Sequence, residues 1–273
     1  MQCVLCGSDN YEKLFSVDGF EIKKCLRCGL ARTFGKQDVS YSHYHRDADY
    51  KLHEKYFRNI FMKRFVLMNR FITAGRVLDI GAATGTLLQI FMDHGWEAHG
   101  VEPSSSAGEV TRRGIKVTKS IFEKANLPEN YFDAVVINHT LEHVANPLEV
   151  LIKIKTVLKK GGIVYVDLPN FGSLSSQLMT KNWALLLPNE HVYHFTPDTL
   201  KKIIKKAGLK VIWSETWSGI YDVDSVFGHF WTQLTSGKPY MYKNFVFDVL
   251  GIPGNILATS LNMGTSLAVI GKK

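Results

Sequence analysis

Two short stretches of this sequence concentrate side chains able to handle protons. NEHVYHFTP, residues 189–197, sets Glu190, His191, Tyr193 and His194 close together and stops at Pro197, and LEHV, residues 141–144, repeats the acid–imidazole neighbours as Glu142 and His143. A neutral imidazole near pH 7 can take a proton from a hydroxyl or an activated C–H, and a carboxylate can orient it. His191 is the candidate general base, Glu190 the residue that orients it and His194 a neighbouring candidate, with Tyr193 read as packing. The competing reading has both imidazoles bonded to nearby backbone. Glu142 and His143 form a second, lower-ranked pair.

The cysteines carry a separate chemistry. All four lie in the first 28 residues, as Cys3-Val-Leu-Cys6-Gly and Cys25-Leu-Arg-Cys28-Gly. Two CxxCG knuckles can aim four thiolates at one tetrahedral zinc ion, and the glycine after each pair lets backbone amides turn toward the sulfurs. Four thiolates leave no open coordination position, so the zinc is expected to be structural, and a ribbon over residues 1–40 needs it to fold.

Both groups require elements to position them. Residues 76–102, RVLDIGAATGTLLQIFMDHGWEAHGVE, read as an apolar strand, a tight loop, a helix ending on glycine and a second strand ending in an acid. This is a βαβ unit. A dinucleotide fingerprint would need glycines at positions 81, 83 and 86, and Ala83 and Thr86 occupy the last two. Downstream, residues 133–138 read as a strand, and a helix opens at Pro147 with Leu148, Leu151, Ile152 and Ile154 expected on its buried stripe and Lys159 and Lys160 at its end. Gly161-Gly162 then precedes a further strand, and Thr196-Pro197-Asp198 caps another helix that Gly208 ends. LKVIWSET (209–216) and TSLAVIGKK (265–273) complete the strands.

The pattern Asp79-x-Gly81-x-x-x-Gly85 followed by Glu102 resembles the S-adenosylmethionine site of class I methyltransferases. That resemblance implies a Rossmann-like α/β fold with a seven-stranded sheet over residues 76–273, its last strand antiparallel. It implies a glycine loop, Gly81 to Gly85 with Ala83 in place of a commoner glycine, under the methionine part of the cofactor, and Glu102 on the ribose hydroxyls. Asn138 and His139, after the fourth core strand, are the further expected cofactor contacts. The ribbon followed by DIGAATG, LEHV and EHVYHF resembles the core of sugar C-methyltransferases acting on nucleotide-linked keto sugars, whose base is thought to lie in a pair matching Glu190 and His191. YSHYHRDADY (41–50) resembles their aromatic substrate-side segment, and their additional C-terminal domain is expected to be absent here.

Bulk properties narrow the rest. The chain has 273 residues, 45% hydrophobic and 21% charged, which fits a globular protein with one main core. No stretch approaches the roughly 18 apolar residues of a membrane span, and the N-terminus has no signal-peptide pattern, so a cytoplasmic location is expected. The formal charge of +8 is uneven: residues 76–149 are net acidic, which would suit a cationic small molecule, and both flanks are net basic, which would suit a phosphate-bearing one. Residues 41–75 read as a linker and a covering helix (53–72), and 217–245 as an aromatic insertion.

The expected function is methyl transfer from S-adenosylmethionine to a small molecule, a sugar or nucleotide-linked sugar. A second reading is an RNA base methyltransferase that holds phosphates with its ribbon and basic flanks. Against nucleic acid, the aromatics of EHVYHF are not interleaved with arginines, and KKIIKK (201–206) falls on an outer helix face. A third reading, a non-catalytic zinc-ribbon scaffold, is opposed by the intact Asp79, Gly81, Gly85 and Glu102.

Overall fold

Strands buried on both faces should send alternate residues into two different cores, and the central strands do so. In the computed structural model, which describes residues 1–36, 54–218 and 245–273, Leu78 and Ile80 of β4 (Arg76–Ile80) enter one apolar cluster while Val77 enters the other. Val135 and Ile137 of β7 (Phe132–Asn138) face one way and Ala134 and Val136 the other. The same alternation separates Val164, Val166 and Leu168 from Ile163 and Tyr165 on β8 (Leu158–Pro169). Period-two burial of β-branched and aliphatic residues on both faces is what a sheet covered by helices on each side requires.

Seven strands form that sheet. With β5 (Glu97–Val101), β6 (Lys116–Thr118), β10 (Lys210–Trp217) and β11 (Ser266–Lys272), the order is β10-β11-β8-β7-β4-β5-β6. The pairs from β8 through β7, β4 and β5 to β6 are parallel, whereas β11 is antiparallel to both β8 and β10. One face is covered by α1 (Glu54–Asn69) and α2 (Thr86–Asp93), whose Phe65 and Phe91 pack edge to face at 5.1 Å. On the other face lie α4 (Pro147–Val157) and α6 (Pro197–Lys206). The short α3 (Ala107–Arg112) follows β5, and α5 (Leu174–Met179) and α7 (Phe245–Ser260) complete the helices.

The expected helix starts hold. Asn146 caps α4 by accepting from the Glu149 amide with Pro147 in the first turn, and Thr196 caps α6 through a reciprocal box with Thr199. The stripe of α4 differs from expectation: Val150, Leu151, Ile154 and Val157 are buried, while Ile152 is 48% exposed and Leu148 is half-buried. The helix turned by 3.6 residues per turn cannot keep 151, 152 and 154 all inward once 150 and 157 fill the seam. Nor do Lys159 and Lys160 close that helix. The chain is already in β8, and Lys159 Nζ instead bonds Asp133 at 2.7 Å. Helix α7, between β10 and β11, was not expected. The 41–50 segment and residues 219–244 of the aromatic insertion lie outside the described residues.

The N-terminal strands β1 (Tyr11–Val17), β2 (Phe20–Cys25) and β3 (Ala31–Phe34) form an antiparallel ribbon. It is continuous with the body. The two-residue β9 (Tyr193–His194) pairs with β3, and Cys3, Leu5, Cys25 and Leu30 belong to the same apolar cluster as Val192, Tyr193 and Phe195. On the opposite side, α1 is pinned by a buried ion pair: Arg64 Nε donates to Asp167 Oδ2 at 2.5 Å, and Tyr165 Oη donates to the same oxygen at 2.9 Å. Such a pair adds little net stability over an apolar substitute, but losing one partner costs about 3–5 kcal/mol, so it fixes where the helix sits.

Candidate active site

The glycine loop leaves β4 at the carboxyl edge of the sheet, where open α/β sheets bind ligands. Gly81 has φ of 79°, and a Cβ there would stand 2.5 Å from Thr140 Oγ1, so both conformation and space demand glycine. Ala83 takes φ of 45° in the same loop, accepting the strain that the commoner glycine would avoid. Its amide donates to Glu102 Oε2 at 2.9 Å, and the Ser104 amide donates to Oε1 at 2.8 Å, so the buried acid after β5 is locked beside the loop. Asn138, at the end of β7, keeps a buried Oδ1 without a hydrogen-bond partner among the described residues. Loop, acid and amide therefore converge at the ends of three adjacent strands.

Asp79 is buried just before the loop. Burial, then the charge of Glu102, raises its pKa from 3.8 to about 7. A raised acid favours the folded state while protonated: its contribution is complete below about pH 4 and is lost as pH rises through about 7. The cofactor-free protein should lose thermal stability from pH 5 to 8, and Asp79→Asn should flatten that slope in melting curves; an unchanged slope would exclude Asp79 as its source.

The proton-handling residues gather around Glu142 rather than Glu190. Glu142 is 2% exposed, and its Oε1 lies 3.6 Å from His139 Nδ1, 3.9 Å from His143 Nε2 and 4.0 Å from His191 Nε2. The rings of His143 and His191 meet edge to face at 4.7 Å. Glu190 joins through its backbone, whose carbonyl accepts from His143 Nδ1 at 3.1 Å. His139, His143, Glu190 and His191, with Pro169, Leu185 and Leu187, line a small cavity beside Glu142. Burial works against the charge of His139, but the neighbouring Glu142 carboxylate and the charge of Asp167 outweigh it and raise its pKa above 6.5.

His194 sits on the ribbon side. Its Nε2 shares a 2.8 Å hydrogen bond with Thr33 Oγ1, its ring stacks 5.1 Å from Phe171, and burial pushes its pKa down to about 3. Thr33 Oγ1 also contacts the His191 carbonyl at 2.7 Å, and the Thr33 amide donates to Val192 O at 3.0 Å. Tyr193 packs as expected, with its hydroxyl donating to Ala145 O. The sequence thus brings His191 to the cavity and turns His194 away from it. Thr33 carried no signal in the sequence, because its role depends on a contact 158 residues distant.

In the ribbon, Cys3 Sγ lies 3.5 Å from Cys28 Sγ and Cys6 Sγ 3.4 Å from Cys25 Sγ, and all four sulfurs fall within 4.8 Å of one another. Those separations exceed a disulfide bond and approach the ~3.8 Å edge of a tetrahedron with 2.3 Å metal–sulfur bonds. Gly29, with φ of 82°, makes the turn that aims backbone amides at Cys25; burial raises that thiol, but amide donation from Cys28 and Arg27 prevails and brings it to about 7. Lys206 of α6 donates to the Leu5 carbonyl at 2.8 Å and ties the first knuckle to the body.

A family model described as a methyltransferase domain matches residues 48–214. The chain is 31% identical over 110 residues to an uncharacterized protein of Methanocaldococcus jannaschii, covering 40% of this chain and 52% of that protein. It is 29% identical over 154 residues to the ubiquinone biosynthesis O-methyltransferase of Cereibacter sphaeroides, covering 49% and 60%. These matches span about half to three-fifths of the relatives' lengths. Among solved structures, a SAM dependent methyltransferase from Archaeoglobus fulgidus superposes with a TM-score of 0.57 at 24% identity, over 82% of this chain and 99% of that one. The Burkholderia thailandensis 1,6-didemethyltoxoflavin-N1-methyltransferase, with bound 1,6-didemethyltoxoflavin and S-adenosylhomocysteine, does so with a TM-score of 0.52 at 12% identity, over 91% and 97%. At these identities the structures speak to fold, whereas the family model covers more than half of the chain. No helix among the described residues is long and apolar enough to cross a membrane. On the match to the family model, the protein belongs to the methyltransferase-domain family.

Proposed function

We propose that the protein transfers a methyl group from S-adenosylmethionine to an oxygen-rich small molecule, a sugar or nucleotide-linked sugar being the class its sequence favours. The observation that carries this reading is the buried Glu102 carboxylate, fixed by two amides beside the Gly81–Gly85 loop, with the buried Oδ1 of Asn138 left without a partner among the described residues at the end of the neighbouring strand β7. Relatives named as O-methyltransferases favour an oxygen acceptor. When bound, S-adenosylmethionine supplies an electrophilic methyl on a sulfonium; the acceptor bond forms as the carbon–sulfur bond breaks, with its electron pair left on sulfur. The chain's work is to hold the acceptor about 3–3.5 Å from that methyl and to take its proton. His191, held against Glu142, is the proposed site of proton removal, and Glu190 fixes the neighbouring His143 through its carbonyl. The four cysteines are proposed to hold one structural zinc ion, a reading their spacing supports.

Calorimetry tests the cofactor assignment. Wild-type protein should bind S-adenosylhomocysteine saturably at one site, and Glu102→Ala should weaken that by roughly 10–100-fold, the range for lost charge-assisted hydrogen bonds. No saturable binding by a folded wild-type protein would sink the proposal.

A further inference from the structure

We propose that Glu142, His143 and His191 form a binding site for one divalent first-row metal ion, separate from the ribbon cysteines and placed on the acceptor side of the cofactor loop. Their ligand atoms all lie within 4.8 Å of one another. Two imidazoles and a carboxylate, with further positions left open, are a familiar ligand set for zinc and for other first-row divalent ions.

Three observations point to an ion rather than a packed polar cluster. Glu142 is 2% exposed, yet neither of its carboxylate oxygens has a hydrogen-bond partner among the described residues. A bare buried carboxylate costs several kcal/mol, and the three imidazole nitrogens facing it at 3.6–4.0 Å are too distant to hydrogen-bond well. Second, the Glu190 carbonyl can only accept, so the His143 Nδ1 that meets it at 3.1 Å carries a proton. The other ring nitrogen, Nε2, faces Glu142 Oε1 at 3.9 Å. A backbone partner on the other ring nitrogen is also how metal-bound histidines are usually oriented. Third, the cavity that His143 and His191 share with Leu185, Leu187 and Pro169, beside Glu142, is about 10 Å³, the size of an ion or one water rather than of a sugar.

Donors around an ion at 2.0–2.2 Å stand about 3.4 Å apart in a tetrahedron, so binding would draw the side chains in by roughly half an ångström. Glu142 and His143 follow β7, the strand whose end also carries Asn138. An ion here would therefore sit at the same carboxyl edge of the sheet as the cofactor loop. Resting on the methyltransferase reading above, this placement names the acceptor class: a molecule with two adjacent oxygens, such as a vicinal diol, catechol or hydroxy ketone, that can chelate the open positions. The ion would lower the pKa of the bound hydroxyl, whose proton passes to solvent, and His191 would serve as a ligand instead of as the base.

The test is a metal titration of full-length protein whose ribbon is already loaded with zinc, using cobalt(II) alone as the probe. One further equivalent should bind with d–d absorption and without the sulfur-to-metal charge-transfer bands of thiolate coordination. Glu142→Gln and His191→Ala should each weaken that equivalent by about 100-fold or more, while ribbon zinc, measured by elemental analysis, stays at one per chain and reports intact folding. Absence of the second equivalent, or equal affinity in both variants, overturns the site and leaves a protonated imidazole as the partner of Glu142. S-adenosylhomocysteine binding is measured on the same samples: cobalt binding without it would sink the methyltransferase reading while the metal site stands.

Discussion

Replacing His191 with alanine should cut methyl transfer by about 10²-fold or more while leaving affinity for S-adenosylhomocysteine unchanged. The two effects separate because the two sites use different elements. The cofactor loop belongs to β4 and the acid to the end of β5, whereas His191 approaches from the segment between α5 and α6 and faces Glu142 at 4.0 Å. The imidazole is 4% exposed, so truncation removes its chemistry and opens a small void without disturbing the sheet. Single-turnover rates with saturating cofactor are the measurement. Wild-type turnover in His191→Ala would remove this residue from the reaction in either proposed role, as base or as ligand.

Removing the proposed ribbon zinc, or replacing Cys25 with serine, should unfold the ribbon and abolish most turnover. Structural zinc supplies on the order of 10 kcal/mol to domains of this size, more than the handful of buried side chains in β1–β3 could replace. The consequence reaches the site because β3 is the only pairing partner of β9 among the described strands. Without it, Tyr193 and His194 lose their ladder to Arg32 and Ala31, Thr33 no longer bonds the His191 carbonyl, and apolar surface shared by Leu5, Leu30 and Val192 opens to water. Thr33→Val provides the graded control, since it removes the hydroxyl alone and should cost activity with the ribbon folded. Full turnover in protein shown by elemental analysis to lack zinc would refute this coupling.

Local sequence determined much of the architecture. The strand RVLDI was legible as Arg76–Ile80 because the apolar Val77, Leu78 and Ile80 run up to a glycine turn, and α6 was legible because Thr196 and Pro197 encode a cap that forms within one turn of chain. The glycines of the loop could be placed for the same reason: left-handed backbone is a property of a residue and its immediate neighbours. The stripe of α4 was misjudged at Ile152, since apolar type alone does not say which residue of a helix turns toward the sheet. The partners of the histidines were decided by tertiary structure alone. Glu190 neighbours His191 in the chain, but the carboxylate that the ring faces is Glu142, brought from the loop after β7. His194, three residues on, is claimed by Thr33 from the ribbon. Sequence fixes which groups can titrate, accept or ligate; which of them meet depends on how the ribbon, the sheet edge and the segment between α5 and α6 pack, a matter of contacts dozens of residues apart that no local pattern encodes.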